Sequence, residues 1–263
     1  MIIKVLLAAL AAGLVAGILM SPLQYTKVIP IIKHAEQFEG SAHHEHGVTS
    51  AKVDHVHSDG TAHSADHQNV VASDEEKAGA NQHVGAAETA AAQEPEEPLS
   101  FGRFWNTILA NLVTASGFAL LMAGVSMATG INVTFKSGLV WGVLGWLCVQ
   151  FLPALGLPPE LPGFPEVDLT SRQTWWVATV ALSILGFWLL LLTKSRTTKA
   201  LGLVVLIAPH VYGAPQPVDI SSAVPAYLAA QYVVAALATT LFMWLTLGLT
   251  LGFFMDRVTI ETP

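Results

Sequence analysis

The sequence is short of the residues on which most soluble chemistry depends. It holds one cysteine, Cys148, in 263 residues. That excludes an intrachain disulfide and a cysteine-rich zinc module. Charged residues make up only 12% of the chain, about half the share of an ordinary soluble domain. No cluster of Lys and Arg forms a basic patch, so nucleic acid is not an expected partner. No Asp or Glu falls deep inside the long apolar runs, which argues against a proton relay or a tight carboxylate site there. The G-x4-G-K-[ST] phosphate loop is missing, so any transport must draw its energy from a partner or a gradient. Without a nucleophile–base pair or an embedded carboxylate dyad, an enzyme is not expected.

Apolar length is what the chain does have, with 52% hydrophobic residues. A hydrocarbon core of about 30 Å takes about 20 apolar residues of helix. Residues 2–20, 105–128, 135–155 and 175–193 meet that measure, and 226–255 can span with tilt. Residues 200–212 read as a short or broken further span ending at Pro209-His210, with a re-entrant element as the alternative. The fold class is therefore all-α, a polytopic bundle of five to six transmembrane helices. Residues 2–20 resemble a signal peptide at Lys4. Their apolar character continues through Ile18-Leu19-Met20 without a clear cleavage site, so the segment is expected to stay as an anchor. The pairs Gly13/Gly17, Gly138/Gly142 and Gly248/Gly252 mark faces for close helix packing, and suggest a compact bundle and a homo-oligomer.

Charge and histidine are crowded into one stretch. Residues 34–98 hold 13 Asp/Glu against Lys52 and Lys77, a net of −11; the remaining 10 Lys/Arg and 6 Asp/Glu give +4, and the two sum to −7. Nine of the ten histidines lie between His34 and His83. Residues 41–98 lack apolar periodicity and are expected to be disordered, because they bury too little surface to offset their ordering entropy. The domain reading is a first helix with its polar exit (1–33), a His/acid-rich loop (34–100) and a bundle of four to five helices (101–263). In the loop, His43, His44, His46, His55, His57, His63, His67 and His83 stand among carboxylates. Imidazole is the commonest protein metal ligand and suits borderline divalent ions. A flexible strand of this kind offers many interchangeable ligand sets, so it should capture ions loosely. The bland alternative is a solvated linker. The zinc-protease pattern is absent, because His44-Glu45 lacks its second histidine.

Polar residues elsewhere are few. Arg103, Thr107, Asn111 and Thr114 fall on one stripe of the second span. Glu36 and Glu39 share a face just past the first. The densest cationic turn is Lys194, Arg196 and Lys199. Placed inside, it sets the N-terminus inside and the His-rich loop outside.

Several motifs carry a family resemblance. These are Gly13-Leu14-Val15-Ala16-Gly17; His34-Ala35-Glu36; Leu157-Pro158-Pro159-Glu160-Leu161-Pro162-Gly163 with Arg172 and Trp175-Trp176; and Ala208-Pro209-His210 with Gly213-Ala214-Pro215. In order and spacing they resemble the CbtA family of predicted cobalt transporter subunits, over nearly the whole chain outside the histidine tract. The resemblance implies about five spans, cobalt uptake for cobalamin synthesis, and a small single-span, histidine-bearing partner of the CbtB type. It carries over only His34, Glu36, Glu160 and His210 as candidate metal residues. The reading is uptake of a divalent transition metal, cobalt first with nickel or zinc as alternatives. No cofactor is permanently bound, the ion being cargo, and the setting is a bacterial cytoplasmic membrane. The competing reading is a metal-scavenging membrane accessory protein that forms no pathway.

Overall fold

The structure, a computed structural model, describes residues 2–45, 102–165 and 167–260. His46, His55, His57, His63, His67 and His83, and with them most of the predicted disordered loop, lie outside the described residues.

The described elements are all helical: α1 (Ile2–Lys27), α2 (Ile29–Glu45), α3 (Gly102–Thr129), α4 (Phe135–Trp146), a π-helical turn (Leu147–Phe151), α5 (Leu152–Ala154), α6 (Leu169–Leu192), α7 (Arg196–Tyr212) and α8 (Ala226–Ile260). Among these, five stretches are long and apolar enough to cross a bilayer: Ile2–Lys27, Gly102–Thr129, Phe135–Ala154, Leu169–Leu192 and Ala226–Val258. The apolar runs dictate this, since helix is the one open-ended structure that satisfies its own backbone in lipid.

At 17 residues, α7 extends about 25 Å, short of a full core. It nonetheless carries the chain from one end of the bundle back toward the other. The loop before α6 and the start of α8 share one end of the bundle, where Leu161, Val224, Leu228 and Ala35 are buried together and Ser222 donates to the Gly163 carbonyl at 2.9 Å. Since α6 leaves that end and α8 starts from it, α7 must bring the chain back. Lys4, Lys136, Lys194 and Arg257 accordingly belong to the opposite end.

Two local expectations need correction. The break expected at Pro209-His210 is not there. Pro209 lies in the last turn of α7, where its missing N–H leaves only the Val205 carbonyl without its usual donor. The helix stops at Gly213, whose φ of +92° only glycine adopts easily and whose N–H bonds the Pro209 carbonyl at 3.1 Å. Order also runs past residue 41, as α2 is helical to Glu45, anchored through fully buried Ala35 and half-buried Ile31, Ile32 and Phe38. The third span is not a plain helix. At the π-turn, Leu152 N–H reaches back to the Leu147 carbonyl, and Pro153 just beyond has no N–H to give.

In lipid, packing rather than water exclusion holds helices together, and small residues let backbones approach. Gly13 and Gly17 of α1 do this against α3: a Cβ on Gly17 would sit 2.8 Å from the Asn111 carbonyl oxygen. Gly138 and Gly142 nest on Gly248 and Trp244 of α8, and Gly252 against Thr134. All three glycine faces are thus occupied within the chain, which removes them as grounds for self-association. A buried polar link, Asn111 Nδ2 to Ser21 Oγ at 3.1 Å and Ser21 Oγ to the Gly17 carbonyl at 2.8 Å, fixes the α1–α3 register. Thr107 spends its hydroxyl on the Arg103 carbonyl at 2.8 Å, the back-bonding common for such residues in lipid. Thr114 is exposed and leaves the stripe.

Caps set where two helices begin. Asp168 accepts from Ser171 N–H at 2.8 Å and Ser171 Oγ at 2.9 Å. These bonds hold its carboxyl below the ordinary range, the backbone bond from Ser171 first. A lowered value means the cap is intact above the usual Asp range and is lost only as pH falls through that lowered value. Thr134 and Ser137 form a reciprocal capping box at α4, and Asp256 of α8 accepts from Phe135 N–H at 2.9 Å.

Candidate functional site

α6 pairs with α7 and also packs on the π-turn and α5, and the site is built around its first turns. On α6, Trp175, Thr179, Ser183 and Gly186 are buried at helical spacing. Gly186 admits Gly202 and Leu206 of α7. Thr179 and Ser183 bond the carbonyls four residues back, at 2.8 and 2.6 Å, so they add no free polar atoms.

One turn from the end of this seam, His210 of α7 meets Trp175 of α6 edge to face, ring centroids 6.2 Å apart. The Trp175 ring also backs onto Gly156, where an added Cβ would lie 2.5 Å from it and 2.9 Å from Ala214 Cβ. Gly156 therefore lets the 155–168 loop close over the pair. Both His210 Nε2 and Trp175 Nε1 are buried without a hydrogen-bond partner among the described residues. Trp175 is only 7% exposed. Buried polar atoms are usually satisfied, and the same lack is shared by Gln24 Oε1, Ser116 Oγ and Trp244 Nε1; what sets this pair apart is that its two orphans sit on neighbouring rings. Indole nitrogen can only donate, whereas imidazole can accept or ligate. Of the two, only His210 Nε2 has a lone pair with which it could bind a cation.

The other candidates do not gather here. Glu160 pairs with Arg172 at 3.2 Å, both about one-third exposed or less. Glu36 pairs with Arg103 at 2.8 Å, across from α2 to α3. His34 is exposed, with its ring on Phe38 at 5.7 Å. His43 and His44 fall on the last turns of α2. Among the described residues no three of His, Cys, Asp and Glu come together as a metal set. The two arginines thus hold the two carboxylates, and sequence spacing does not reveal either pairing. Trp175 as the neighbour of His210 was likewise missed. Its signal was present in the small polar residues at i+4 and i+8 along an otherwise apolar helix.

A family model described as "Probable cobalt transporter subunit (CbtA)" matches residues 2–256. No curated protein and no solved structure matches the chain.

Proposed function

Because the chain belongs to the CbtA family, whose members are transporter subunits rather than enzymes, we propose that it takes cobalt into the cell past His210. Divalent-cation transport through a polytopic helical membrane protein is the family's general role. The observation that carries the finer reading is the buried, unpartnered His210 Nε2 beside the unpartnered Trp175 N–H. A conducting site must hold its ion weakly enough to release it, and one imidazole with water does so better than a closed three-ligand cage. The loop histidines, His43 through His83, collect the ion before entry. His34, Glu36 and Glu160 lie near the same end of the bundle. The two carboxylates serve the ion only by exchanging it for their arginines.

On this reading the Lys194 end faces the cytoplasm. That end collects Lys4, Lys136, Lys194, Arg196, Lys199 and Arg257. The other end holds four, Lys27, Lys33, Arg103 and Arg172, of which the two arginines pair with Glu36 and Glu160, so the Lys/Arg bias that sets the orientation is six against four. Energy and completion of the pathway fall to a small single-span subunit of the CbtB type. Uptake of radiolabelled cobalt by cells making this chain with that subunit should be saturable and should yield to excess nickel or zinc only partly. Equal uptake without the chain would remove the proposal. Accumulation that stays bound outside the membrane would make the chain a scavenger.

The orientation has its own check. Single cysteines at Ser58 and Ser195 should react oppositely with an impermeant thiol reagent in intact cells, Ser58→Cys labelled and Ser195→Cys protected. Cys148 is buried and gives no background. The reverse pattern would invert the protein.

A further inference from the structure

A groove of about 700 Å3 opens on the surface of the bundle between the α1–α2 junction and α8. One wall is Leu23, Lys27 and Ile31, and the other runs along α8 from Ala230 to Phe242. We propose that this groove seats one acyl chain of an anionic phospholipid whose phosphate pairs with Lys27.

Length supports a lipid over a partner helix. From Ala230 to Phe242 is twelve helical steps, about 18 Å, a little over half of a hydrocarbon core of about 30 Å. The groove starts at interface level, because neighbouring Leu228 is buried with Ala35 and Leu161 at the end of the bundle. It stops near the midplane. A spanning helix would need a channel through both leaflets, whereas an acyl chain needs one.

The lining has the same character. Apart from Lys27 and Gln231 near the interface, the one polar side chain is Thr239, and its hydroxyl is spent on the Ala235 carbonyl at 2.8 Å. A hydrocarbon chain therefore meets no unpaired hydroxyl there. Lys27 ends α1, is exposed, and makes no ion pair with a described residue. A single interfacial cation favours an anionic headgroup about fivefold.

The test uses the full chain in detergent, with phosphatidylglycerol or phosphatidylcholine added and bound lipid counted by native mass spectrometry. The wild type should retain one phosphatidylglycerol about fivefold more strongly than phosphatidylcholine. Lys27→Gln should erase the preference but keep one lipid. Ala238→Trp, which fills the groove from an exposed position, should release both. If the preference survives Lys27→Gln, or if folded Ala238→Trp protein keeps its lipid, the proposal fails. A photo-crosslinker at position 238 in native membranes decides independently of that variant's folding. Capture of lipid supports the groove, and capture of a polypeptide overturns it.

Discussion

With Gly248→Leu, most of the protein is expected to emerge from detergent extraction as aggregate, and any folded remainder to melt far below the wild type. The position has no room. A Cβ there would press on the Gly138 carbonyl oxygen and lie 2.9 Å from Gly142 N. Both are backbone atoms and cannot rotate away, so α4 and α8 would have to part. Overpacking of a well-filled site costs about 1–3 kcal/mol even where side chains can adjust. Here a whole helix pair must shift, against a total stability of about 5–15 kcal/mol. Gly117→Leu on α3 is the matched control, because nothing lies within 4 Å of its Cβ position. It should stay within about 1 kcal/mol of wild type, or gain slightly from better helix propensity. Size-exclusion profiles and melting curves of the two variants should diverge. If both behave like wild type, the α4–α8 contact is not the close one described.

The second large effect is expected at His210. His210→Gln keeps a hydrogen-bonding side chain of similar reach but gives up the imidazole nitrogen that suits a transition metal. Lost ligand-sphere groups commonly weaken metal binding by about tenfold or more. Half-saturation for cobalt uptake should therefore rise by at least that order while the amount of protein in the membrane is unchanged. The competing account is that His210, in the last turn of α7, serves the helix terminus as a mildly favoured cation. That account predicts a small loss of stability and normal uptake. Wild-type rate and half-saturation at normal expression would end the pathway role.

The residues differ in how far the sequence alone places them. The spanning helices were legible because each is a long apolar run and lipid permits little else. Small-x3-small spacing announced close packing, but not that Gly138 meets Gly248 or Gly17 meets Asn111, since spacing along one helix says nothing of its partner. His210 stood out as the histidine apart from the tract. Its neighbour Trp175 did not, because their meeting depends on the register of the α6–α7 hairpin, set by Gly186 against Gly202. The π-turn was invisible for a related reason. Pro153 signals a missing donor, but whether the helix kinks, breaks or widens is decided by what packs beside it. The same holds for Glu36 and Glu160, which the family resemblance offered as candidate ligands and whose carboxylates are engaged by Arg103 and Arg172.

The shortness of α7 also acts on the lipid around it. Its roughly 25 Å leaves it about 5 Å under the hydrocarbon thickness. Such a mismatch is met by thinning the adjacent leaflets or by flanking cations snorkelling to the interface, at fractions of a kcal/mol per Å. Lys194, Arg196 and Lys199 stand at one end of that helix to do the latter. Whatever thinning remains falls on the lipid-facing side of α7, since its hairpin partner α6, with 24 residues, is long enough to span. On the proposed route past His210, a thinner slab would lessen the work of bringing a divalent charge through.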